Sequence, residues 1–600
     1  MTALSSPAMP ERASLPRRSK ILALIIFAGF VVLLALGPLT EATWIERGFS
    51  ATLIVATIVL LAFLTRRLIF AFALPVVLFG GVLISSYMKF HYLTTPLLAP
   101  DLVYFVNRDL LEVATRYPPI MIAIITAAIL IPGIIVLAWR WDRPMLLARV
   151  RMPQRRWLRW GGVALALVVL GLAAWPRGPF AGVFEKGMWQ AMNDKSYITD
   201  FYTSFYQTQI IIPPFVKDEE SALLWTQPDA ENPPACAPPA CIAAKPLKEA
   251  QEHPDIVAVL EESTYDPTML KVCKLPEVCK RKLFAPDGRT RAHGLLTVHV
   301  WGGGTWTSEF ALMSGLDHLT FGDAGLYAPY NLAPRISNSL PRNLKEAGYR
   351  TIAIYPMSGN FINARNAYQN YGFDAFYDGQ DYGLSWESSD SDLFQVFSQI
   401  YDKEKAQIGK QPLFVMMLTL RQHGPHMTPL KKLPPPYDKP LFAGKFVGKQ
   451  LDEWLNLNLG NYLQRLTGSD IAMTGLEKKL LDGERPALLF HFGDHQPSFD
   501  GAMRSVDKNL PASVGDPNFI TYYMLKTNYP PARKLGEREM DLSFAPSLIL
   551  DMAGVKKDAF FQANALMRER CDGFYLNCDK KDILDSYHNY IFYQLGALHE

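Results

Sequence analysis

Five apolar segments in the first 176 residues constrain this chain more than any other feature. They run over roughly 21–39, 50–65, 68–90, 119–139 and 160–176. Each is near the ~20 residues that a helix needs to cross the hydrocarbon core of a bilayer. A cleaved signal peptide is the alternative for the first, but four more spans follow it and no small-residue cleavage site is evident. Basic residues set the orientation. Arg12, Arg17, Arg18 and Lys20 precede the first segment. Arg66 and Arg67 separate the second from the third. Arg140, Arg143, Arg149, Arg151, Arg155, Arg156 and Arg159 separate the fourth from the fifth. Lys and Arg stay on the cytoplasmic side, so the amino terminus is expected inside and residues 177–600 outside. The outward loop at 91–118 is partly amphipathic, which suits a membrane surface.

Cysteine usage agrees with that topology. All six lie beyond residue 230, in three close pairs: Cys236 and Cys241, Cys273 and Cys279, Cys571 and Cys578. Even, clustered cysteines outside the cytoplasm favour disulfides, and local pairing is expected. A zinc ribbon is the rival reading, but the spacings are too wide for a CxxC knuckle and no His stands in register beside them. The net charge of +3 on 600 residues carries no polyanion signature, so no nucleic-acid partner is expected. Residues 177–225 read as a helical connector. Residues 226–246, "TQPDAENPPACAPPACIAAKP", read as a stiff proline-rich linker. The expected division is therefore 1–176 transmembrane, 177–253 connector and linker, and 254–600 a soluble domain.

From about residue 254 the pattern changes to short apolar runs separated by helical stretches. Strand candidates are "DIVAVL" (255–260), "LLTVHV" (295–300), "TIAIY" (351–355), "LFVMMLT" (413–419), "ALLFHF" (487–492) and "ITYYM" (520–524). Helix candidates are Asn338–Ala347, Asp390–Glu404 and Asp470–Leu481. Such alternation predicts an α/β sheet with helices on both faces, whose sites gather at the carboxyl ends of the strands. Four of these ends carry chemistry. The first runs into Glu261-Glu262-Ser263 and the second into "GGGT" with Thr305. The fourth runs into "LRQHGPH" with His423 and His426, and the fifth into "GDHQP" with Asp494 and His495. Taken singly, a Glu at a strand end reads as a solvated rim residue, "GDH" as a loop, and His423 as a packing or capping side chain. Together, oxygen donors and an imidazole on one sheet edge suit a divalent cation such as Mn, Mg or Zn.

The pieces "VLEES", "GTWTSEF", "NSLPRNLKEAGYRTIAIYP", "FINARNAYQNYGFDAFYD", "LTLRQHGPH" and "FGDHQP", in this order, resemble the sulfatase-like branch of the alkaline phosphatase superfamily. More narrowly, they resemble the membrane-anchored phosphoglycerol transferases typified by lipoteichoic acid synthase. The resemblance spans about residues 255–500, and the five-span anchor is similar too. It implies one divalent metal, Mn first and Mg or Zn as alternatives, held by Glu262, Thr305, Asp494 and His495. Glu261 is the alternative to Glu262. Thr305 falls at the nucleophile's position, with Thr307 as runner-up, and His423 at a substrate-phosphate histidine. The family's arginine falls on Ala364, so Arg365, one place beyond, is the candidate. Gly304 stands where the lipoteichoic acid enzymes carry lysine, which leaves substrate and acceptor open. Trp306 and His426 are added as substrate-binding candidates, against packing and turn-stabilising readings.

These residue types suit phosphoryl transfer. A threonine hydroxyl becomes a competent nucleophile when a metal lowers its pKa. Gly302 to Gly304 let backbone amides approach a phosphate, and a helix starting at Thr305 favours an anion at its N-terminus. The resemblance implies a phospholipid donor, phosphatidylglycerol, and a glycan or lipid acceptor at the outer face of a cell inner membrane. A phosphoethanolamine transferase of the same superfamily is the second reading, and a catalytically silent scaffold or sensor the third. A true sulfatase needs Cys or Ser in a CxPxR or SxPxR context, which "GTWTSEF" lacks.

Overall fold

The computed structural model describes residues 17–93, 95–104, 115, 118–184 save 145 and 149, 196–206, 210–217, 221–226, and 253–599 save 275, 447 and 531–535. Most of the proline-rich linker lies outside the described residues. So do Cys236 and Cys241, and the disulfide expected between Cys236 and Cys241 is not among the bonds described. The chain divides into two compact units, one taking in Met1–Phe90, Thr95–Val103 and Leu110–Gln207, the other His91–Thr94, Tyr104–Asp109 and Thr208–Glu600. The division at residues 207 and 208 falls inside the expected connector.

Among its described residues, the first unit holds five helices long and apolar enough to cross a membrane. They are α1 (Arg17–Leu39), α2 (Trp44–Thr65), α3 (Leu68–Leu93), α4 (Pro118–Trp141) and α5 (Met152–Ala174). The second and fifth begin earlier than their apolar runs, for local reasons. At α2, Thr43 accepts from the Glu46 amide while the Glu46 side chain accepts from the Thr43 amide, a reciprocal cap that starts the helix six residues upstream of the expected Ser50. At α5, Arg159 reaches the carbonyls of Phe63 and Leu64 near the end of α2. Basic side chains thus occupy the first turns of α5, ahead of the uncharged stretch.

The second unit is built on one mixed sheet, in the order β4-β3-β5-β1-β6-β7-β2-β8 with β9 also paired to β2. The strands are β1 (Asp255–Glu261), β2 (Thr290–Thr297), β3 (Arg350–Tyr355), β4 (Ala375–Asp378), β5 (Leu413–Leu418), β6 (Ala487–Gly493), β7 (Ile520–Thr527), β8 (Gly536–Glu537) and β9 (Met540–Asp541). All six expected strands form. β2 starts five residues before the expected "LLTVHV" and ends at Thr297, which leaves His299 and Val300 in the following turn. The short β4, β8 and β9 have too few residues to show a period. Asp390–Glu404 extends to Ile408, and Asp470–Leu481 is only the end of a 33-residue helix, Lys449–Leu481. The stretch before Asp470 contains Gly460, Gly468 and several Asn, weak helix formers that packing overrides.

β1 is parallel to both β5 and β6. Both of its faces are covered: Ile256, Ala258 and Leu260 enter one core while Val257 and Val259 enter the other, each large side chain contributing roughly 1.5–3 kcal/mol. β7 is antiparallel to β6, and β2 is antiparallel to β7. Two reversals restore the direction, so β2 runs with β1, β5 and β6, and all four carboxyl ends lie on one edge. Among the described residues, Cys273–Cys279 and Cys571–Cys578 are disulfide-bonded, as local pairing predicts.

Candidate metal and phosphate site

That edge carries the candidate site. Glu262 follows β1, Asp494 and His495 follow β6, and Thr305 follows β2 by way of a turn in which Gly302, Gly303 and Gly304 all have positive φ (70°, 158° and 94°). Three consecutive left-handed residues are open only to glycine at little cost. The turn delivers Thr305 as the first residue of α6 (Thr305–Ser314), whose N-terminus no side chain caps. Its amides are thus placed to meet an anion.

Thr305 Oγ1 donates to Glu262 Oε2 at 2.9 Å and lies 3.5 Å from His495 Nε2. His495 Nε2 is 3.3 Å from Asp494 Oδ2 and 3.6 Å from Glu262 Oε1. Glu262, Asp494 and His495 each offer one ligand atom within 4.8 Å of the others, and all three are buried. Neighbours hold them in place. The Ser263 and His495 amides both donate to Asp494 Oδ1. Ser263 Oγ donates to Glu262 Oε1, Thr419 Oγ1 accepts from the Glu262 amide, and Ser308 Oγ donates to the Asp494 carbonyl. Sequence reading passed over Ser263, Ser308 and Thr419. The adjacency of Ser263 to Glu262 and the i+3 spacing of Ser308 from Thr305 were the available signals.

The donor set fits a small divalent cation. The His495 Nδ1 lies 3.0 Å from the Gln496 carbonyl, which only accepts, so the proton sits on Nδ1 and the Nε2 lone pair faces the carboxylates. A partner of this kind orients a ligating histidine. Asp494 Oδ2 is buried and accepts no well-formed hydrogen bond, an orphan that a cation satisfies. Metal–ligand bonds of 2.0–2.2 Å in a tetrahedron hold donors about 3.3–3.6 Å apart, the range found around His495. Burial and the facing Glu262 carboxylate push Asp494 up to about 7.

The alternatives resolve by position. Glu261 points away from this constellation. Burial, then Asp390, then Asp494 raise its carboxyl well above the ordinary range. Thr307 is buried and donates to the Gly304 carbonyl, so it closes the helix start rather than facing the cluster. His426 is buried between the rings of Tyr462 and Phe499, and burial holds it well below the ordinary imidazole range. Its surroundings are those of a packing residue. Trp306 donates its indole N–H to the Leu326 carbonyl. Arg365 pairs with Asp378 at 2.8 Å and lies over the Phe376 ring. His423 lies in the loop after β5 with its ring 4.9 Å from that of Trp386, and its Nδ1 faces the Gly424 carbonyl. Arg465 pins this loop through the carbonyls of His423 and Pro425. The structure therefore brings Glu262, Thr305, Asp494 and His495 together, and it engages Arg365, Trp306 and His426 elsewhere.

Residues 254–532 match the family model described as Sulfatase. A Haemophilus influenzae protein described as "Uncharacterized protein" is 28% identical over 360 residues, covering 58% of this chain and 62% of its own length. A putative cyclic beta-1,2-glucan modification protein of Rhizobium meliloti is 26% identical over 279 residues, covering 44% of this chain and 39% of its own length. The chain thus spans less than two-thirds of either relative. Among solved structures, the Streptococcus pyogenes phosphoglycerol transferase GacH in complex with sn-glycerol-1-phosphate aligns at 17% identity and TM-score 0.41, over 58% of this chain and 90% of its own. The integral membrane lipooligosaccharide phosphoethanolamine transferase A from Neisseria meningitidis aligns at 14% and 0.40, over 87% and 95%.

Proposed function

We propose that this protein is a metal-dependent phosphotransferase of a cell inner membrane. It moves a phosphoglycerol, or a related phospho-head group, from a membrane phospholipid to a glycan or lipid outside, through a covalent phospho-threonine at Thr305. The observation that carries this reading is the Thr305 hydroxyl, set at an uncapped helix start, bonded to Glu262 and 3.5 Å from His495. A divalent cation, Mn first with Mg and Zn as alternatives, would be held by Glu262, Thr305, Asp494 and His495, and when bound would lower the hydroxyl's pKa and neutralise phosphoryl charge.

The chain's own groups then divide the work. Glu262 takes the hydroxyl proton along the existing 2.9 Å bond. Thr305 Oγ1 forms its bond to phosphorus as the bond from phosphorus to the diacylglycerol oxygen breaks, and His423 gives that oxygen a proton. The α6 amides hold the phosphoryl oxygens. In the second half His423 takes the proton of the acceptor hydroxyl, the acceptor oxygen bonds to phosphorus as the bond from phosphorus to Thr305 Oγ1 breaks, and Thr305 recovers its proton from Glu262. A phospholipid donor suits a catalytic unit on a chain with five apolar helices. The relative named for cyclic beta-1,2-glucan modification supports a glycan acceptor.

Intact-mass spectrometry of the full chain after incubation with phosphatidylglycerol and Mn tests this. A glycerophosphate adduct is expected on the wild type and absent from Thr305→Ala. A phosphoethanolamine adduct from phosphatidylethanolamine alone would move the donor to the second reading. No adduct from either lipid on metal-loaded protein would overturn the covalent mechanism.

A further inference from the structure

A second buried cluster lies beside the turn that carries Thr305. His299 Nε2 is 2.7 Å from Asp541 Oδ2 and 3.8 Å from Asp317 Oδ2, and His299, Asp541 and Asp317 are only 5%, 2% and 1% exposed. The ligand types resemble those of the first site, but the spacing does not. Donors on one small cation stand about 3.3–3.6 Å apart, whereas 2.7 Å is the length of a charge-assisted hydrogen bond. This cluster is held by a proton. Burial opposes the imidazolium, but the two carboxylates that flank it outweigh burial and raise it to about 9.

The connectivity gives the cluster a purpose. His299 stands six residues before Thr305 and Asp317 twelve after it, so the ends of the segment bearing the nucleophile meet at one ion pair. Asp541 ends β9, which is paired to β2 through Thr297, so that pair is tied to the sheet. Both carboxylates are fixed by the chain: Asp541 Oδ1 accepts from the Ser543 amide and hydroxyl, and Asp317 Oδ1 from the Leu319 amide. His299 itself has φ +51°, a left-handed conformation that a non-glycine residue keeps only where its surroundings enforce it. Between the anchors the backbone passes through three left-handed glycines, which supply no stiffness. The Gly302 amide bond to the Gln496 carbonyl and the Arg504 guanidinium over Trp301 steady the segment's near half.

We propose that His299, Asp317 and Asp541 form a clasp that joins the two ends of the segment bearing Thr305 and holds its hydroxyl in register with Glu262 and His495. They are positioning residues for the phosphoryl transfer proposed above, on which this inference rests. A displacement near 1 Å at a reacting atom lowers the rate about 100-fold, so a clasp of this kind acts on turnover more than on affinity.

The test compares the full chain in detergent with His299→Gln, Asp541→Asn and the double variant, using bis(p-nitrophenyl) phosphate and Mn. His299→Gln is expected to lower kcat at least tenfold, with KM and Mn affinity unchanged within twofold, and the double variant to be no worse. Hydrogen exchange of peptides covering residues 298–310 is expected to quicken at least tenfold, with that of β1 unchanged. A kcat within twofold of wild type, a fall in kcat that tracks lost Mn affinity, or unchanged exchange over 298–310 overturns the clasp. An inactive wild type refutes the phosphotransfer reading, and the exchange measurement then decides the clasp by itself.

Discussion

Glu309 offers a quantitative probe of the electrostatics behind the site. It lies one turn after Thr305 on α6, is 5% exposed, and accepts from the Tyr368 hydroxyl at 2.9 Å. Burial, with further contributions from Asp494 and Glu262, raises its carboxyl from 4.5 to about 8, against the lowering effect of Tyr368. The folded value exceeds the unfolded one, so between them the native chain holds a proton that the unfolded chain has released. Stability is therefore full below about 4.5 and declines as pH rises through that window to about 8. At pH 7 the loss is on the order of 3 kcal/mol. Glu309→Gln keeps an acceptor for Tyr368 and has no proton to lose. Its stability relative to wild type should grow by about 1.4 kcal/mol per pH unit across the window and then level off. Melting temperatures of the full chain in detergent, followed by circular dichroism from pH 5 to 9 in chelator, measure this. Curves for the two proteins that stay parallel across the range would refute the reasoning, because they would mean that Glu309 is ionised in both states.

The remaining predictions concern the site and its scaffold. Thr305→Ala should lose transfer with little change in melting temperature, whereas Thr307→Ala should lose about 1 kcal/mol of stability with its buried hydrogen bond and keep transfer. Chelation should abolish activity. Mn at about 100 times its Kd should stabilise the chain by about 2.7 kcal/mol, an effect absent from Asp494→Ala in the same thermal-shift assay. Replacing both Cys571 and Cys578 by Ser should cost roughly 2–3 kcal/mol by chain entropy, seen as a lower melting temperature.

What was legible in the chain follows from how local each signal is. The five apolar helices and the six longer strands announce themselves by composition over consecutive residues, and alternation with helices accounts for the parallel β1, β3, β5 and β6 but not for the antiparallel β7. The four residues that meet at the sheet edge each follow a strand, so the sheet's parallelism places them. β4, β8 and β9 are too short to carry a period. The stretch of Lys449–Leu481 before Asp470 is helical through buried Leu455, Leu459, Tyr462, Leu463 and Leu466, a stripe that outweighs its glycines and asparagines. Arg365 and His426 were read from nearness to motifs. Their partners, Asp378 and the rings of Tyr462 and Phe499, come from other segments that only the tertiary structure brings near. Trp386, the neighbour of His423, has no local signal either. The His299 cluster was invisible for the same reason, since Asp541 is 242 residues from His299.

Ser263 and Asp494, bonded at the centre of the site, are separated by 231 residues. A growing chain therefore carries Glu262 and Thr305 long before Asp494 and His495 exist to join them. On the metal-dependent reading proposed above, the full donor set exists only once β6 has paired with β1, so loading would follow assembly and could not template it. A truncated product ending before that strand would carry Glu262 and Thr305 alone of the four.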